Sequence, residues 1–90
     1  MTWKNKIIPR FSSNKVIPFI GMRVMALDDY CYNPAILKAK GRIIIVEGTY
    51  HVSVEFDKNI DGHTCDGNGR NGHCWGFSRE YWEKEGFKLL

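Results

Sequence analysis

The alternation of apolar and polar side chains predicts five short β-strands, all of them after residue 20. The third has the clearest period of two, with Val52, Val54 and Phe56 on one face, which is typical of a half-buried strand. The second is rich in β-branched residues, as a central strand is. The strands are expected at residues 22–27, 41–47, 50–57, 74–78 and 87–90, with one helical or 3₁₀ turn at residues 79–85.

Residues 1–20 are predicted to form an extended basic arm, because Pro9 and Pro18 exclude a long helix there. Residues 21–90 are predicted to form a single all-β domain, and its strand order and spacing resemble those of the SH3-like five-stranded barrels. The Gly48-Thr49 turn would join the central hairpin of this barrel. An OB-like barrel is the main alternative, and closure of either barrel would protect the exposed edges of a small sheet.

The longest interruption of the strand pattern is the segment 58–73, which we call the 58–73 loop. Its four Asp-Gly or Asn-Gly dipeptides favour repeated reversals of the backbone and predict a compact loop. Loops of this length in compact domains are usually functional or disordered, and the strand-like apolar residues on both sides of this loop argue against disorder. A protein-binding surface is therefore predicted on this loop and on neighbouring exposed aromatic residues. The expected binding residues are Tyr30, Tyr32, His63, Asn68, Arg70 and Tyr81.

The same segment supplies the residue types of a structural zinc site. His63, Cys65, His73 and Cys74 provide imidazoles and thiols, the ligands that tetrahedral zinc prefers. Their spacing is unusual, because one residue separates the first pair and none separates the second. A zinc-stabilised module is one alternative, and no other cofactor is expected. In the simpler interpretation, the imidazoles bind the loop backbone beside small buried thiols.

Fragments of three other motifs are present, and each lacks one requirement. Residues 57–62 match the first half of a calcium-binding loop, but Asn68 stands where a bidentate Glu is needed. Residues 67–72 have the spacing G-x-G-x-x-G but lead into a strand, whereas phosphate binding needs a helix N-terminus. A Cys–His catalytic pair would lack a third group that orients the base. The chain is therefore predicted not to be an enzyme.

Charge is distributed unevenly along the chain. The 90-residue protein has a formal net charge of +3, and its first 23 residues carry five basic and no acidic side chains. This asymmetry makes nucleic-acid binding the other alternative, through Lys4, Lys6, Arg10 and Lys15. The longest apolar run, residues 43–46, is too short for a membrane span. Because no secretory signal is recognised, the cysteines are expected to be free thiols in the cytoplasm.

Residues 54–75 resemble a pattern found in small, mostly uncharacterised proteins of tailed bacteriophages and their hosts. In these proteins, a G-H-x-C-x-G loop precedes a G-H-x-W segment that enters the next strand. The matching residues are Gly62, His63, Cys65 and Gly67 for the first motif, and Gly72, His73 and Trp75 for the second. The resemblance implies an SH3-like scaffold and a phage or prophage origin. We therefore expect a phage accessory protein that binds a host protein in the host cytoplasm.

Overall fold

The computed structural model describes residues 16–28, 33–48 and 51–90, and the regular secondary structure of these residues is mostly β-strand. The strands are β1 (Arg23–Ala26), β2 (Lys40–Glu47), β3 (His51–Phe56), β4 (Cys74–Phe77) and β5 (Phe87–Leu89), and helix α1 (Arg79–Glu83) precedes β5. The five predicted strands and the helical turn are confirmed, and each strand ends within one residue of its expected position. No helix in the described ranges is long and apolar enough to span a membrane.

The five strands form one antiparallel sheet in the order β4-β3-β2-β1-β5. β4 and β5 are its two edges, and in a flat sheet they would lie about 19 Å apart at the usual strand spacing. The ring centroids of Phe77 in β4 and Phe87 in β5 are nevertheless only 4.9 Å apart. The sheet is therefore curled enough to bring these two side chains into contact, although no backbone pairing joins β4 to β5 among the described strands.

The apolar core lies on the inner face of this curled sheet. Val52, Val54 and Phe56 alternate along β3 and are fully buried there, as their period of two predicts. Ile36 and Ile60 reach the same core from the segments before β2 and after β3. The other buried core residues are Met22, Val24, Ala26, Ala39, Ile43, Phe77, Tyr81, Trp82 and Phe87. Removal of this apolar surface from water is the main stabilising contribution to the fold.

Tyr81 in α1 is buried, so the expectation that it is an exposed binding residue is wrong. It is only 8% exposed, and its ring centroid lies 4.8 Å from those of both Phe77 and Phe87. Its hydroxyl donates a hydrogen bond of 3.0 Å to the carbonyl oxygen of Asp28. The sequence did not indicate this burial, because a helix of five residues is too short for an apolar repeat to show its inner face.

Candidate functional site

The outer face of the sheet, opposite the core, is partly covered by the 58–73 loop. Ser53 and Glu55 point to this face by the alternation of β3, yet they are only 8% and 9% exposed. The register between β2 and β3 shifts between Ile43 and Ile45, as in a β-bulge. Because of this extra residue, Ile44 and Ile45 both reach the outer face, where they lie near Ser53. This face therefore has an apolar area of its own.

Glu55 connects the 58–73 loop to the sheet. Its Oε2 accepts a hydrogen bond of 2.8 Å from the backbone N–H of Arg70. The guanidinium groups of Arg70 and Arg42 lie 3.6 and 3.4 Å from its two carboxylate oxygens. The hydrogen bond from the Arg70 backbone N–H is the main cause that lowers the pKa of Glu55 below its ordinary value. The positive charges of Arg70 and Arg42 lower it further. The ionised carboxylate is therefore the form that binds the loop.

The loop is compact, as its turn-rich sequence predicts. His63 and Cys74 exchange two backbone hydrogen bonds of 3.0 and 3.1 Å, so this part of the loop forms a single bridge to the edge of β4. The side chain of Asn59 accepts a hydrogen bond of 2.8 Å from the N–H of Asp61, which has a positive φ of 57°. This Asx turn accounts for the residues that resemble half of a calcium loop.

The four residues of the predicted zinc site are brought together only in part. The thiols of Cys65 and Cys74 are buried and close enough to interact. His63 Nδ1 accepts a hydrogen bond of 2.9 Å from the backbone N–H of Cys65. His73 Nδ1 lies 3.0 Å from the carbonyl oxygen of Phe56. Within the described ranges, no group of three or more His, Cys, Asp or Glu residues could hold a metal ion. Elemental analysis of the purified protein is the direct test of the zinc prediction.

Burial determines the protonation of both thiols. It raises the pKa of Cys74 to about 12 and also raises the pKa of Cys65 above its ordinary value. Both side chains are therefore thiols at neutral pH. These shifts are opposite in direction to the lowered pKa of a cysteine that is activated for catalysis.

An open groove of about 720 Å³ lies beside the area that the loop covers. Ile44, Ile45 and Trp75 give it apolar walls, and two carboxylates, Glu47 and Asp66, lie along it. None of the described lining residues is a Lys or an Arg. The groove therefore combines apolar walls with two negatively charged side chains. The other described lining residues are Ile20, Val46, His51, Ser53, His63, Cys65, Asn68 and Gly76.

The polar and aromatic side chains of the groove remain accessible. The side chains of Glu47 and His51 are 70% and 54% exposed, and Glu47 Oε1 lies 3.8 Å from His51 Nδ1. Trp75 is half-buried, and its ring centroid lies 5.2 Å from that of His63. A bound molecule can therefore reach a carboxylate and an indole in the same groove.

Two residues of the predicted binding surface, His63 and Asn68, line the groove. Arg70 is not among the described lining residues, and its guanidinium donates a hydrogen bond of 3.1 Å to the carbonyl oxygen of Phe56. The remaining predicted binding residues that were not discussed above lie outside the described residues. These are Tyr30 and Tyr32 of the protein-binding surface, and Lys4, Lys6, Arg10 and Lys15 of the nucleic-acid alternative.

The sequence did not reveal the strand residues of the groove. Ile44 and Ile45 carried a usable signal, since the three consecutive isoleucines at residues 43–45 break the period of two and are compatible with a bulge. Glu47 and Trp75 carried none, because their proximity depends on how β2 and β4 flank β3. The chemistry of the groove is derived from its own residues alone, since no protein-family model, curated protein or solved structure matches this chain.

Proposed function

We propose that the chain is a small, non-enzymatic binding module that takes a segment of a partner protein into the groove between the 58–73 loop and the outer face of the sheet. The observation that carries this proposal is the combination of apolar walls with Glu47 and Asp66 and with no Lys or Arg among the described lining residues. The phage-like motifs of the loop extend the proposal to an accessory protein whose partner is a host protein.

The charge of the groove defines the chemistry of the segment that would fit. A large apolar side chain would displace water from Ile44 and Ile45, which is the usual role of an interface anchor. A neighbouring Lys or Arg would complement the two carboxylates, and the face of the Trp75 indole attracts a cation as well. We therefore expect a segment that combines an apolar anchor with at least one basic residue.

We assign the scaffold to the SH3-like barrels as part of the same proposal. The strand order and the helical turn between β4 and β5 support this assignment. The contact between Phe77 and Phe87 across the two edge strands supports a curled, barrel-like sheet. In such a scaffold, a groove between long loops is a common peptide-binding surface.

Selection from a random peptide display library on the full-length protein tests the proposal. We expect the enriched peptides to share a large apolar residue next to Lys or Arg. Synthetic copies of them should bind the Glu47→Gln and Asp66→Asn variants up to about fivefold more weakly per substitution. Glu80→Gln is the matched control, because Glu80 is an exposed carboxylate on α1 that does not line the groove.

The proposal is wrong if no peptide is enriched, or if the enriched peptides bind Ile45→Asp as well as the unchanged protein. A parallel titration with single-stranded oligonucleotides examines the nucleic-acid alternative. Binding that falls steeply with added salt and disappears when Lys4, Lys6 and Arg10 are changed to Ala would support that alternative and count against the groove.

A further inference from the structure

We infer that Cys65 and Cys74 form a reversible modification site, at which a low-molecular-weight disulfide such as glutathione disulfide converts the two thiols into an intramolecular disulfide. This inference is independent of the proposed binding function. It rests on the positions of the two side chains, on the order in which a reagent reaches them, and on the way the 58–73 loop is fixed to β4.

The fold brings the two thiols next to each other. His63 faces Cys74 across the bridge at the edge of β4, and paired residues of this kind have Cα atoms about 5.5 Å apart. Cys65 follows two residues later with a positive φ of 51°, which turns the chain back over the sheet. The two thiols consequently interact with each other.

Access to the two thiols is unequal. Cys65 is 4% exposed and lines the groove, whereas Cys74 is fully buried below it. Gly69 closes over the Cys74 sulfur so tightly that a Cβ at this position would overlap with Sγ. A reagent in the groove therefore reaches Cys65 first, and Cys74 is placed to react with the product.

The reaction proceeds in two thiol–disulfide exchanges. Cys65 loses its proton to solvent, and its sulfur attacks glutathione disulfide, which breaks the S–S bond and releases one glutathione thiolate. Cys74 then loses its proton, attacks Cys65 Sγ and releases the second glutathione. The pair gives up two electrons and two protons, and one glutathione disulfide becomes two glutathione molecules.

The product would link the 58–73 loop covalently to the edge strand. This bond adds a covalent restraint to the hydrogen bonds that already hold the loop to β3 and β4. The oxidised protein should therefore melt at a higher temperature than the reduced protein. Loop residues should also be cleaved more slowly by protease.

Intact-mass measurement of the full-length Cys31→Ser protein, incubated with glutathione disulfide under native conditions, tests the inference. Removal of Cys31 leaves Cys65 and Cys74 as the only thiols. We expect the mass to fall by the two thiol hydrogens, with full reversal by dithiothreitol. Peptide mapping of the unchanged protein provides the same information if Cys31→Ser does not fold.

Two further variants separate the roles of the thiols. Cys74→Ser, in the Cys31→Ser background, should accumulate a stable glutathione adduct on Cys65. Cys65→Ser should react many times more slowly, because only the buried sulfur remains. The inference is overturned if the folded Cys31→Ser protein keeps both thiols or retains bound glutathione, or if the disulfide forms only after denaturation.

Discussion

Among single residues, Glu55 has the largest expected effect on the position of the 58–73 loop. Its side chain is only 10% exposed and accepts a charge-assisted hydrogen bond from the Arg70 backbone. Glu55→Gln keeps the shape and an acceptor oxygen but removes the charge. We expect it to lower the free energy of unfolding by about 1–2 kcal/mol at neutral pH. Urea unfolding followed by tryptophan fluorescence measures this change.

The destabilisation caused by Glu55→Gln should become smaller as the pH falls. Because folding lowers the pKa of Glu55, its stabilising contribution is complete above the ordinary value of 4.5 and is lost as the pH falls through the lower folded value. The two proteins should therefore converge in stability in acid. Glu80→Gln, at an exposed position, should change stability by less than about 0.5 kcal/mol. A constant difference between Glu55→Gln and the unchanged protein down to about pH 3 would contradict this explanation.

The burial of Glu55 and of Tyr81 shows what the sequence omits at this scale. The alternation of β3 correctly placed Glu55 on the face opposite Val54. An acidic residue on that face predicted a side chain exposed to solvent. Its burial depends on Arg70, which is distant in sequence and follows a series of turns. Tyr81 was misplaced because its packing partners lie on β4 and β5. Long-range contacts of this kind leave no periodic signal.

Among the elements, the strands could be predicted from the sequence. For the helix, the position could be predicted but the buried face could not. A period of two, turn dipeptides and β-branched residues occur within a few consecutive positions, so the five strands followed from local sequence. Helix α1 has only five residues, which is too short to be stable in isolation. It depends on the burial of Tyr81 and Trp82 and on its N-cap. Ser78 provides that cap, since its hydroxyl accepts the backbone N–H of Tyr81 at 3.3 Å.

Ser78→Ala should therefore destabilise the protein by about 1 kcal/mol, the usual cost of losing an N-cap. Ser78→Asp is the matched variant, because its carboxylate can accept the same N–H and suits the positive end of the helix. Thermal melts of the three proteins measure the effect. Equal loss of stability in both variants would show that Ser78 acts through its packing and not through the cap.

For the whole molecule, the main feature is the use of both faces of one curled sheet. The inner face carries the core, and the outer face of β2, β3 and β4 holds the 58–73 loop and the groove. Strand patterns predicted the first face from Val52, Val54 and Phe56. The second required knowledge of which strands are neighbours and where a loop returns, and neither is written in local sequence. The compactness of the loop was predictable, whereas its docking surface was not.

If the loop is part of the fold and not an appendage, it should unfold together with the sheet. Native-state hydrogen exchange tests this cooperativity. The amides of Gly69, Arg70 and Cys74 are bonded to Thr64, Glu55 and His63, respectively. We expect their opening free energies to lie within about 1 kcal/mol of those of the β3 amides. Rapid exchange in the loop while β3 stays protected would show that the loop opens independently.

Gly69→Ala provides the perturbation that distinguishes a cooperative loop from an independent one. The added methyl would overlap with Cys74 Sγ and come within 3.0 Å of Ile44 Cδ1, at an expected cost of about 1–3 kcal/mol. In a cooperative molecule, protection should decrease equally in the loop and in β3. Adding Cys74→Ala removes the obstructing sulfur, so the double variant should be more stable than the sum of the single effects predicts. Loss of protection confined to the loop would show that the loop opens independently, and strict additivity would contradict the contact between Gly69 and the Cys74 sulfur.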